Sequence, residues 1–376
     1  MDKISKMSEY FTEVETTEEH NGYNFSVGEA LIVVILGSIC GLRNICQIHQ
    51  WAVNPRVSEF LLKELGIEKL PCYYWLTCLL KIIKPESLNQ CFASWAQSLL
   101  PDNAKCGTIS FDGKTIRSTC KMDKYAKPLH IVSAHLAELG ITLASRRVDE
   151  KENEIPAVRD LLQLMNVEGC MIVADTLHCQ KETAALVIEK KADYLLNVKG
   201  NQETLMEDIE LYVQDDDLRE SMDTATTVEK NGGRIEQRRA FVCCDIDWLH
   251  SKGDWKGLAC IAAINTKFTY KGKTSDEWHY YISSRKLTSD ELVKHARLEW
   301  SVESMHWLLD VHFGEDFCRV EDENTQHVLN VARKIALNSV KTYKRLSASK
   351  LPLSKIMFDC LLDCNKLASV LLVAEN

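Results

Sequence analysis

The sequence predicts an α/β protein in which a mixed β-sheet is flanked by helices and preceded by a helical domain. Three observations lead to this fold class. The chain has 376 residues, 45% of them hydrophobic, and at roughly 150 residues per domain this length allows two or three domains. Apolar residues recur at helical spacing through the N-terminal part of the chain. From residue 106 onward, short apolar runs alternate with segments of helical spacing, as in strands joined by helices.

Residues 1–100 are predicted to form an N-terminal helical domain. Prolines are expected to end its helices, because proline cannot continue a helix that precedes it. No catalytic set of side chains occurs here, so a helical association or DNA-end-binding module and a plain helical bundle both remain open. The predicted helices cover residues 28–42, 58–65, 73–82 and 88–100, and the prolines are Pro55, Pro71, Pro85 and Pro101.

Residues 101–345 are predicted to form the main α/β domain. Its first three strands are joined by short connections and are expected to pair antiparallel, whereas each later strand follows a helix and is expected to add in parallel. This order is that of a ribonuclease-H-like fold. Ligands of such sheets bind beyond the carboxyl ends of strands, where Asp112 and Asp175 are predicted to lie. The predicted strands cover 106–112, 130–136, 141–148, 170–175 and 193–198, and the helices 155–165, 182–191 and 202–213.

A β-rich insertion at about residues 215–285 is predicted within this domain, followed by one long helix and a C-terminal helical tail at 346–376. Thr288 and Glu291 form a capping box at the start of the long helix, and Gly314 is expected to end it. The insertion's predicted strands cover 234–245, 258–265, 268–270 and 279–284, and later helices 328–344 and 351–373.

The net charge restricts the class of protein. With 45 Lys and Arg against 54 Asp and Glu, the formal charge of −9 excludes a uniformly basic nucleic-acid coat protein. An enzyme with its basic residues on one DNA-facing side remains compatible with this charge. The best local candidate for phosphate contact is a basic stretch, with a solvated loop as its alternative; it comprises Lys105, Lys114, Arg117, Lys121, Lys124 and Lys127.

Fifteen cysteines occur without the paired spacing of zinc fingers. The polar N-terminus does not resemble a signal peptide, and the longest apolar run, residues 30–36 with a weak extension to 42, is too short for a bilayer. We therefore expect a cytoplasmic protein, without a membrane partner, whose thiols are reduced and mostly buried.

A stripe of ionisable residues marks the long helix. Glu299, Glu303, His306 and Asp310 are spaced four, three and four apart and therefore share one face. Trp300 and Trp307 lie on an adjoining stripe that we expect to dock the helix on the sheet, although a solvated acidic face remains an alternative.

Two strand-end aspartates and a carboxylate from this helix would be hard oxygen ligands, suited to Mg²⁺ or Mn²⁺. Two such ions about 3.5–4 Å apart support in-line displacement at phosphorus. The residues alone leave three candidates for the third carboxylate, namely Glu299, Glu303 and Asp310.

An ordered set of motifs carries a family resemblance. The motifs occupy residues 111–117 (FDGKTIR), 130–134 (HIVSA), 151–156 (KENEIP), 174–180 (ADTLHCQ), 192–202 (ADYLLNVKGNQ), 280–284 (YYISS), 300–311 (WSVESMHWLLDV) and 314–316 (GED). With these motifs the sequence resembles the DDE transposases of bacterial insertion sequences, of the H-repeat-associated type.

The resemblance implies that Asp112, Asp175 and Glu303 are the catalytic residues and the ligands of two Mg²⁺ or Mn²⁺ ions. It implies a DNA transposase that cuts its element's ends and joins the 3′-hydroxyl to target DNA. The partners would be double-stranded DNA, as terminal repeats and as target, and further copies of the chain in a homo-oligomer on DNA. The setting would be the nucleoid in a bacterial cytoplasm.

Five residues are candidates for DNA contact: Lys114, Arg117, Lys199, Arg297 and Trp300. Lys199 is predicted just past a strand end, with Gly200 as a turn and Asn201 as a helix cap.

Three residues depart from the family pattern, and two of them, Glu299 and His178, support an alternative function. Glu299 stands where the family usually has histidine, Ser304 where it has asparagine, and His178 where it commonly has glycine. The alternative is a catalytically decayed or domesticated DNA-binding protein that retains the transposase fold. A third hypothesis, a metal-independent helical interaction protein, rests on the N-terminal helices and the acidic charge.

Overall fold

The computed structural model describes residues 4–18, 25–101, 107–116, 128–148, 153–231, 234–271 and 273–373. These residues form nine strands and fifteen α-helices. The strands are β1 (Thr108–Thr115), β2 (His130–Leu136), β3 (Ile141–Arg147), β4 (Met171–Ala174), β5 (Asp193–Val198), β6 (Asp223–Asn231), β7 (Arg234–Cys243), β8 (Cys260–Tyr270) and β9 (Lys273–Ser283). The helices are α1 (Ile4–Thr12), α2 (Val27–Ile39), α3 (Ile45–Ala52), α4 (Pro55–Leu65), α5 (Tyr73–Lys81), α6 (Pro85–Ser98), α7 (Glu154–Leu164), α8 (Lys181–Glu189), α9 (Glu203–Gln214), α10 (Asp216–Glu220), α11 (Ser289–Glu299), α12 (Ser301–Phe313), α13 (Glu323–Leu346), α14 (Leu353–Leu362) and α15 (Cys364–Val373).

All nine strands form one mixed sheet in the order β3-β2-β1-β4-β5-β9-β8-β7-β6. β1, β2 and β3 pair antiparallel, and β4 joins β1 and β5 in parallel, as the sequence predicted. The insertion extends this sheet, because β9 pairs antiparallel with β5 and carries β8, β7 and β6 beyond it. The mixed α/β fold class predicted from the sequence is confirmed.

Three features of the insertion differ from the sequence prediction. β6 was not predicted, because its polar, threonine-rich sequence lacks the alternation of a half-buried strand. The two segments predicted at 258–265 and 268–270 form a single strand, β8. The chain reverses only at Lys271, whose φ of 48° is typical of a tight turn.

The position of Asp112 within β1 also differs from the prediction. β1 continues beyond Asp112 to Thr115, because its antiparallel partner β2 accompanies it as far as the pair Thr115 and His130. On its other side, however, the parallel pairing with β4 ends at Phe111 and Ala174. The residue that follows Phe111 in β1 is Asp112, and the residue that follows Ala174 at the end of β4 is Asp175. Asp112 and Asp175 therefore occupy neighbouring positions where the shared pairing stops.

The predicted long helix is two helices. α11 begins at the expected capping box of Thr288 and Glu291, and α12 ends at Gly314, whose φ is 61°. The helical hydrogen bonding breaks at Trp300, between α11 and α12.

The expectation that tryptophans dock this helix is wrong. Trp300 is 65% and Trp307 is 61% exposed. The buried side chains of α12 are instead Val302, Met305, Leu309 and Phe313.

The N-terminal helices pack around α13 and share one hydrophobic core with the sheet. α1 and α3 were not predicted. Pro55 and Pro85 are the first residues of α4 and α6, so the expectation that they end helices is wrong. Proline suits the first helical position, because the N–H that it lacks has no helical acceptor there. The segment predicted at 351–373 is divided into α14 and α15 at Asp363.

Thirteen of the fifteen cysteines lie in the described residues, where none is joined in a disulfide, and seven of the thirteen are buried. The expectation that most cysteines are buried applies to only about half of those described. Within the described parts of the chain, no helix combines the length and apolar character needed to cross a membrane.

A buried ionic network joins β1, α12 and α13. Lys114 Nζ lies 2.6 Å from Asp310 Oδ1 and 3.1 Å from Glu315 Oε2, and the Glu315 side chain is only 1% exposed. Asn330 Nδ2 donates to Glu315 Oε1 at 2.7 Å. Lys334 Nζ, also buried, donates to Ser133 Oγ of β2 at 2.8 Å.

The charges in this network depend on one another. Burial opposes ionisation of Glu315, but Lys114, Lys334 and Arg333 outweigh it and hold its pKa below the usual value. Burial also opposes the charge on Lys114, yet Glu315 and Asp310 raise the pKa of Lys114. For Lys334, burial dominates and lowers the pKa to about 7. Glu315 is therefore the anion that keeps these buried cations compensated.

We expect Glu315→Gln to lower the free energy of unfolding by about 3–5 kcal/mol, because it leaves buried cations uncompensated. Urea unfolding at pH 7.5 measures the change. The control Glu168→Gln removes an exposed carboxylate 3.4 Å from Lys191 and should change stability by less than about 1 kcal/mol. Equal effects of the two substitutions would show that the network contributes no more than a surface pair.

Candidate active site

A cleft of about 590 Å³ opens where β1 and β4 stop pairing. Six carboxylates line it: Asp112, Asp175, Glu299 and Glu303, and, from the insertion, Glu236 and Glu277. The facing side chains come from β5, the insertion strands and α11, and include Asn197, Lys199, Glu236, Arg238, Thr266, His279, Tyr281 and Arg297. The cleft thus combines a cluster of acidic groups with several basic and polar groups.

Asp112 lies on the face of β1 that packs against α11 and α12. Alternate residues of a strand share a face, and on this face Thr108 contacts His295 of α11 while Lys114 contacts Asp310 of α12. His306 Nε2 of α12 lies 3.3 Å from Asp112 Oδ2. Neither ring nitrogen of His306 has a hydrogen-bond partner among the described residues, so this close contact lacks the geometry of a hydrogen bond.

Asp175 caps a short 3₁₀ turn that follows β4. Its Oδ1 accepts from Thr176 N at 2.6 Å and lies 4.0 Å from Lys199 Nζ. The turn is held from the β5 side by Asn201, whose amide donates to Thr176 O at 2.7 Å. Gln202 Nε2 adds a bond to Cys179 O at 3.0 Å.

The prediction that Asn201 caps a helix is wrong. α9 begins at Glu203, and its N-cap residue is Gln202, without a side-chain capping bond. The side chain of Asn201 instead holds the turn that carries Asp175, a contact between distant segments that no local pattern reveals.

The break at Trp300 allows two carboxylates to reach the cleft. Glu299 ends α11 and Glu303 lies in the first turn of α12. Burial and the nearby carboxylates of Asp175, Asp112 and Glu303 together raise the pKa of Glu299 to about 7, against the opposing effect of Lys199. Glu299 is thus an acidic group of the site beside Asp112, Asp175 and Glu303.

The carboxylates of the cleft are suitable ligands for a hard divalent cation, because Mg²⁺ and Mn²⁺ prefer carboxylate oxygens. Burial is the main cause of the raised pKa of Glu299, and the neighbouring carboxylates of Asp175, Asp112 and Glu303 add to it, so negative charge is concentrated here. In the described residues, no three His, Cys, Asp or Glu side chains are already arranged to hold a metal ion. The carboxylates would therefore have to move closer together around a cation.

The five residues predicted to contact DNA have different surroundings. Lys199, Arg297 and Trp300 line the cleft. Arg297 is paired there with Glu229 of β6. Lys114 is engaged in the buried ionic network and only 14% exposed, an arrangement that favours a structural role. Arg117 lies outside the described residues, as do Lys105, Lys121, Lys124 and Lys127 of the predicted basic stretch.

Sequence reasoning missed the contribution of the insertion to the cleft. Arg238 Nη2 bonds Glu236 Oε1 at 2.7 Å, and both side chains come from β7. Tyr281 of β9 is buried, and burial together with Glu299 and Asp175 raises its pKa. The alternation of Glu236 and Arg238 in the sequence was a usable signal, because residues two apart on a strand face the same side.

Comparison with known proteins identifies the family. A sequence model described as Transposase DDE domain matches residues 106–339, more than half of the chain. The chain belongs to the transposase DDE domain family. A second model, described as DDE_Tnp_1-associated, matches residues 8–96. The resemblance found in the sequence motifs is confirmed.

Individual relatives agree with this assignment. The chain is 31% identical over 310 residues to "Putative protein YbfL" of Escherichia coli K12, covering 80% of this chain and 81% of that protein. It is 30% identical, with the same coverage, to "H repeat-associated putative transposase YhhI" of the same strain.

A solved structure shares the fold of this transposase-family chain. The piggyBac transposase in a synaptic complex with hairpin DNA aligns with a TM-score of 0.50 and 9% identity. The alignment covers 99% of this chain and 81% of that chain. At this identity the likeness concerns the fold alone, and it supports the ribonuclease-H-like class.

We expect Glu299→Gln to stabilise the metal-free protein more at pH 8 than at pH 5. Folding raises the pKa of Glu299 from 4.5 to about 7, so the stability associated with its protonated form is complete below pH 4.5 and is lost as the pH rises through 7. Glutamine mimics the protonated form at every pH. The gain at pH 8 should be about 1–3 kcal/mol.

Urea unfolding in EDTA at both pH values measures this gain. Glu182→Gln, at a 72% exposed side chain paired with Arg159, is the control and should show no such pH dependence. A gain of equal size at pH 5 and pH 8 would contradict the predicted ionisation.

Proposed function

We propose that the protein is a DDE transposase that cuts DNA at the ends of its element and joins the 3′-hydroxyl to target DNA. One observation carries the proposal: Asp112 and Asp175 occupy neighbouring positions just beyond the last β1–β4 pair and share a cleft with Glu303. Membership in the transposase DDE domain family supports it.

Asp112, Asp175 and Glu303 are the proposed catalytic residues and the proposed ligands of two Mg²⁺ or Mn²⁺ ions. When bound, such ions would activate a water or a 3′-hydroxyl and stabilise the leaving oxygen during in-line displacement at phosphorus. The chain's own contribution is to hold three carboxylates on separate elements, β1, the turn after β4, and α12. His306 limits the space around Asp112 from one side, at 3.3 Å.

Double-stranded DNA, as terminal repeats and as target, is the proposed partner. Lys199 and Arg297 supply positive charge at the cleft, and the exposed indole of Trp300 offers a surface on which a base can stack. The structural neighbour is described as a synaptic complex with hairpin DNA. By extension we propose that this chain brings DNA ends together as a homo-oligomer, at the nucleoid of a bacterial cytoplasm.

We expect Asp112→Asn, Asp175→Asn and Glu303→Gln each to reduce metal-dependent cleavage at least about 100-fold, because each removes several kcal/mol of transition-state stabilisation. The assay uses purified protein, Mg²⁺ or Mn²⁺, and a duplex carrying the inverted repeats that flank the gene. Asp254→Asn, which alters an exposed pair with Lys181, is the control and should retain full activity. A triple variant of the three proposed ligands that cuts as fast as the unaltered protein would overturn the proposal.

We expect Lys199→Ala and Arg297→Ala to weaken DNA binding and to lower the slope of log Kd against log salt by about one unit each, because each removes one phosphate contact. Trp300→Ala should weaken binding of ends with an unpaired base more than binding of blunt duplex. Fluorescence anisotropy over a range of salt concentrations measures all three. Lys252→Ala, outside the cleft lining and paired with Asp247 at 2.7 Å, should leave both affinity and slope unchanged, and equal losses in all variants would argue against a DNA-facing cleft.

A further inference from the structure

The turn that carries Asp175 is not held by the sheet. β4 ends at Ala174, and residues 176–178 form a 3₁₀ turn outside the strand pairing. Asn201 and Gln202 hold this turn from the β5 side. A second support comes from the opposite side, where β1 and β2 lie.

This second support is Glu154, at the start of α7. Its Oε1 lies 2.8 Å from His130 Nε2, and its Oε2 lies 3.5 Å from His178 Nε2. His130 Nδ1 is in turn 2.8 Å from Thr115 Oγ1 at the end of β1. One carboxylate thus links the strand that carries Asp112 to the turn that carries Asp175.

The contacts of Glu154 favour the ionised carboxylate that this link requires. The hydrogen bond to His130, with the contact to His178, lowers the pKa of Glu154 to about 2, so the group remains an ionised acceptor at neutral pH. The His178 side chain is only 2% exposed. It is therefore enclosed on the inner side of the turn.

Gly113 provides an independent indication. A Cβ at this position would lie 2.3 Å from Glu154 Oε1 and 2.7 Å from His130 Nε2. Both approaches are far below van der Waals contact, so a side chain at residue 113 would displace the link. Because Gly113 has no side chain, the Glu154 and His130 side chains can meet next to it, directly after Asp112 in β1.

We propose that Glu154 is a positioning residue, which acts through His130 and His178 to set the separation of the Asp112 and Asp175 carboxylates and thereby their affinity for a divalent cation. The inference rests on the proposed function, since it concerns the same carboxylates. Glu154 itself is not a proposed ligand, and it lines no part of the cleft.

The test compares Mn²⁺ binding by the full-length unaltered protein and by Glu154→Gln, His178→Ala and the double variant, using electron paramagnetic resonance of free Mn²⁺. We expect each single variant to bind Mn²⁺ about 10-fold more weakly, as is typical when groups behind the metal ligands are removed. The double variant should bind no more weakly than the single variants, because all of them break the same link. DNA affinity in EDTA should change less than about twofold, since no cleft residue is altered.

The matched control is Asp160→Asn, which removes another carboxylate of α7, one paired with Arg146 of β3. It should leave Mn²⁺ affinity unchanged. Circular dichroism establishes that each variant is folded, and if Glu154→Gln unfolds, His178→Ala carries the same comparison with the same expected loss.

The outcomes separate this inference from the proposed function. Unaltered Mn²⁺ affinity in the folded single variants, or an equal loss in Asp160→Asn, would overturn the positioning role alone. If the unaltered protein binds no Mn²⁺, or if Asp112→Asn binds it as tightly as the unaltered protein, the proposed metal function fails and the inference fails with it.

Discussion

The contact between Lys114 and the buried carboxylate of Glu315 constrains most of the structure around the cleft. Lys114 follows Asp112 by two residues on β1, and its second partner, Asp310, follows Glu303 by seven residues on α12. Each charge is costly to bury unless its partners are in place, so the network favours one arrangement of α12 on β1. Asn330 and Lys334 extend this arrangement to α13, around which the N-terminal helices pack. The relative position of two proposed ligands therefore depends on charges that never reach the cleft.

The cleft itself forms because β1 is paired over a longer stretch on its β2 side than on its β4 side. β1 is accompanied by β2 for its full length but loses β4 after Phe111, so the chain diverges beside Asp112 and Asp175. The insertion then extends the sheet past β5 and supplies a facing wall with Arg238, Thr266 and His279. Burial at this opening, together with the neighbouring carboxylates of Asp175, Asp112 and Glu303, raises the pKa of Glu299. The overall charge of −9 therefore says little about the local field that DNA would meet.

Much of the fold was predictable because it follows local rules. The order of β1 to β5, the capping box at Thr288 and Glu291, and the end of α12 at Gly314 each depend on a few neighbouring residues. Several of the predictions that were wrong have a different cause. Trp300 and Trp307 were expected to be buried, and Asn201 to cap a helix, but the packing of distant elements decides both. β6 is a polar strand whose pairing with β7 compensates for its weak pattern.

By itself, the sequence determined the α/β class, the order of the elements and the family, because periodicity and motifs are properties of neighbouring residues. It also restricted the proposed ligands to a few carboxylates, among which the family resemblance selected Glu303. Only the tertiary structure decided that Glu299 joins these carboxylates, that Lys114 belongs to a buried ionic network, and that Glu154 links His130 to His178. Each of these depends on contacts between segments far apart in the chain, and the sign and size of an electrostatic interaction follow from separation and burial, which no local pattern records.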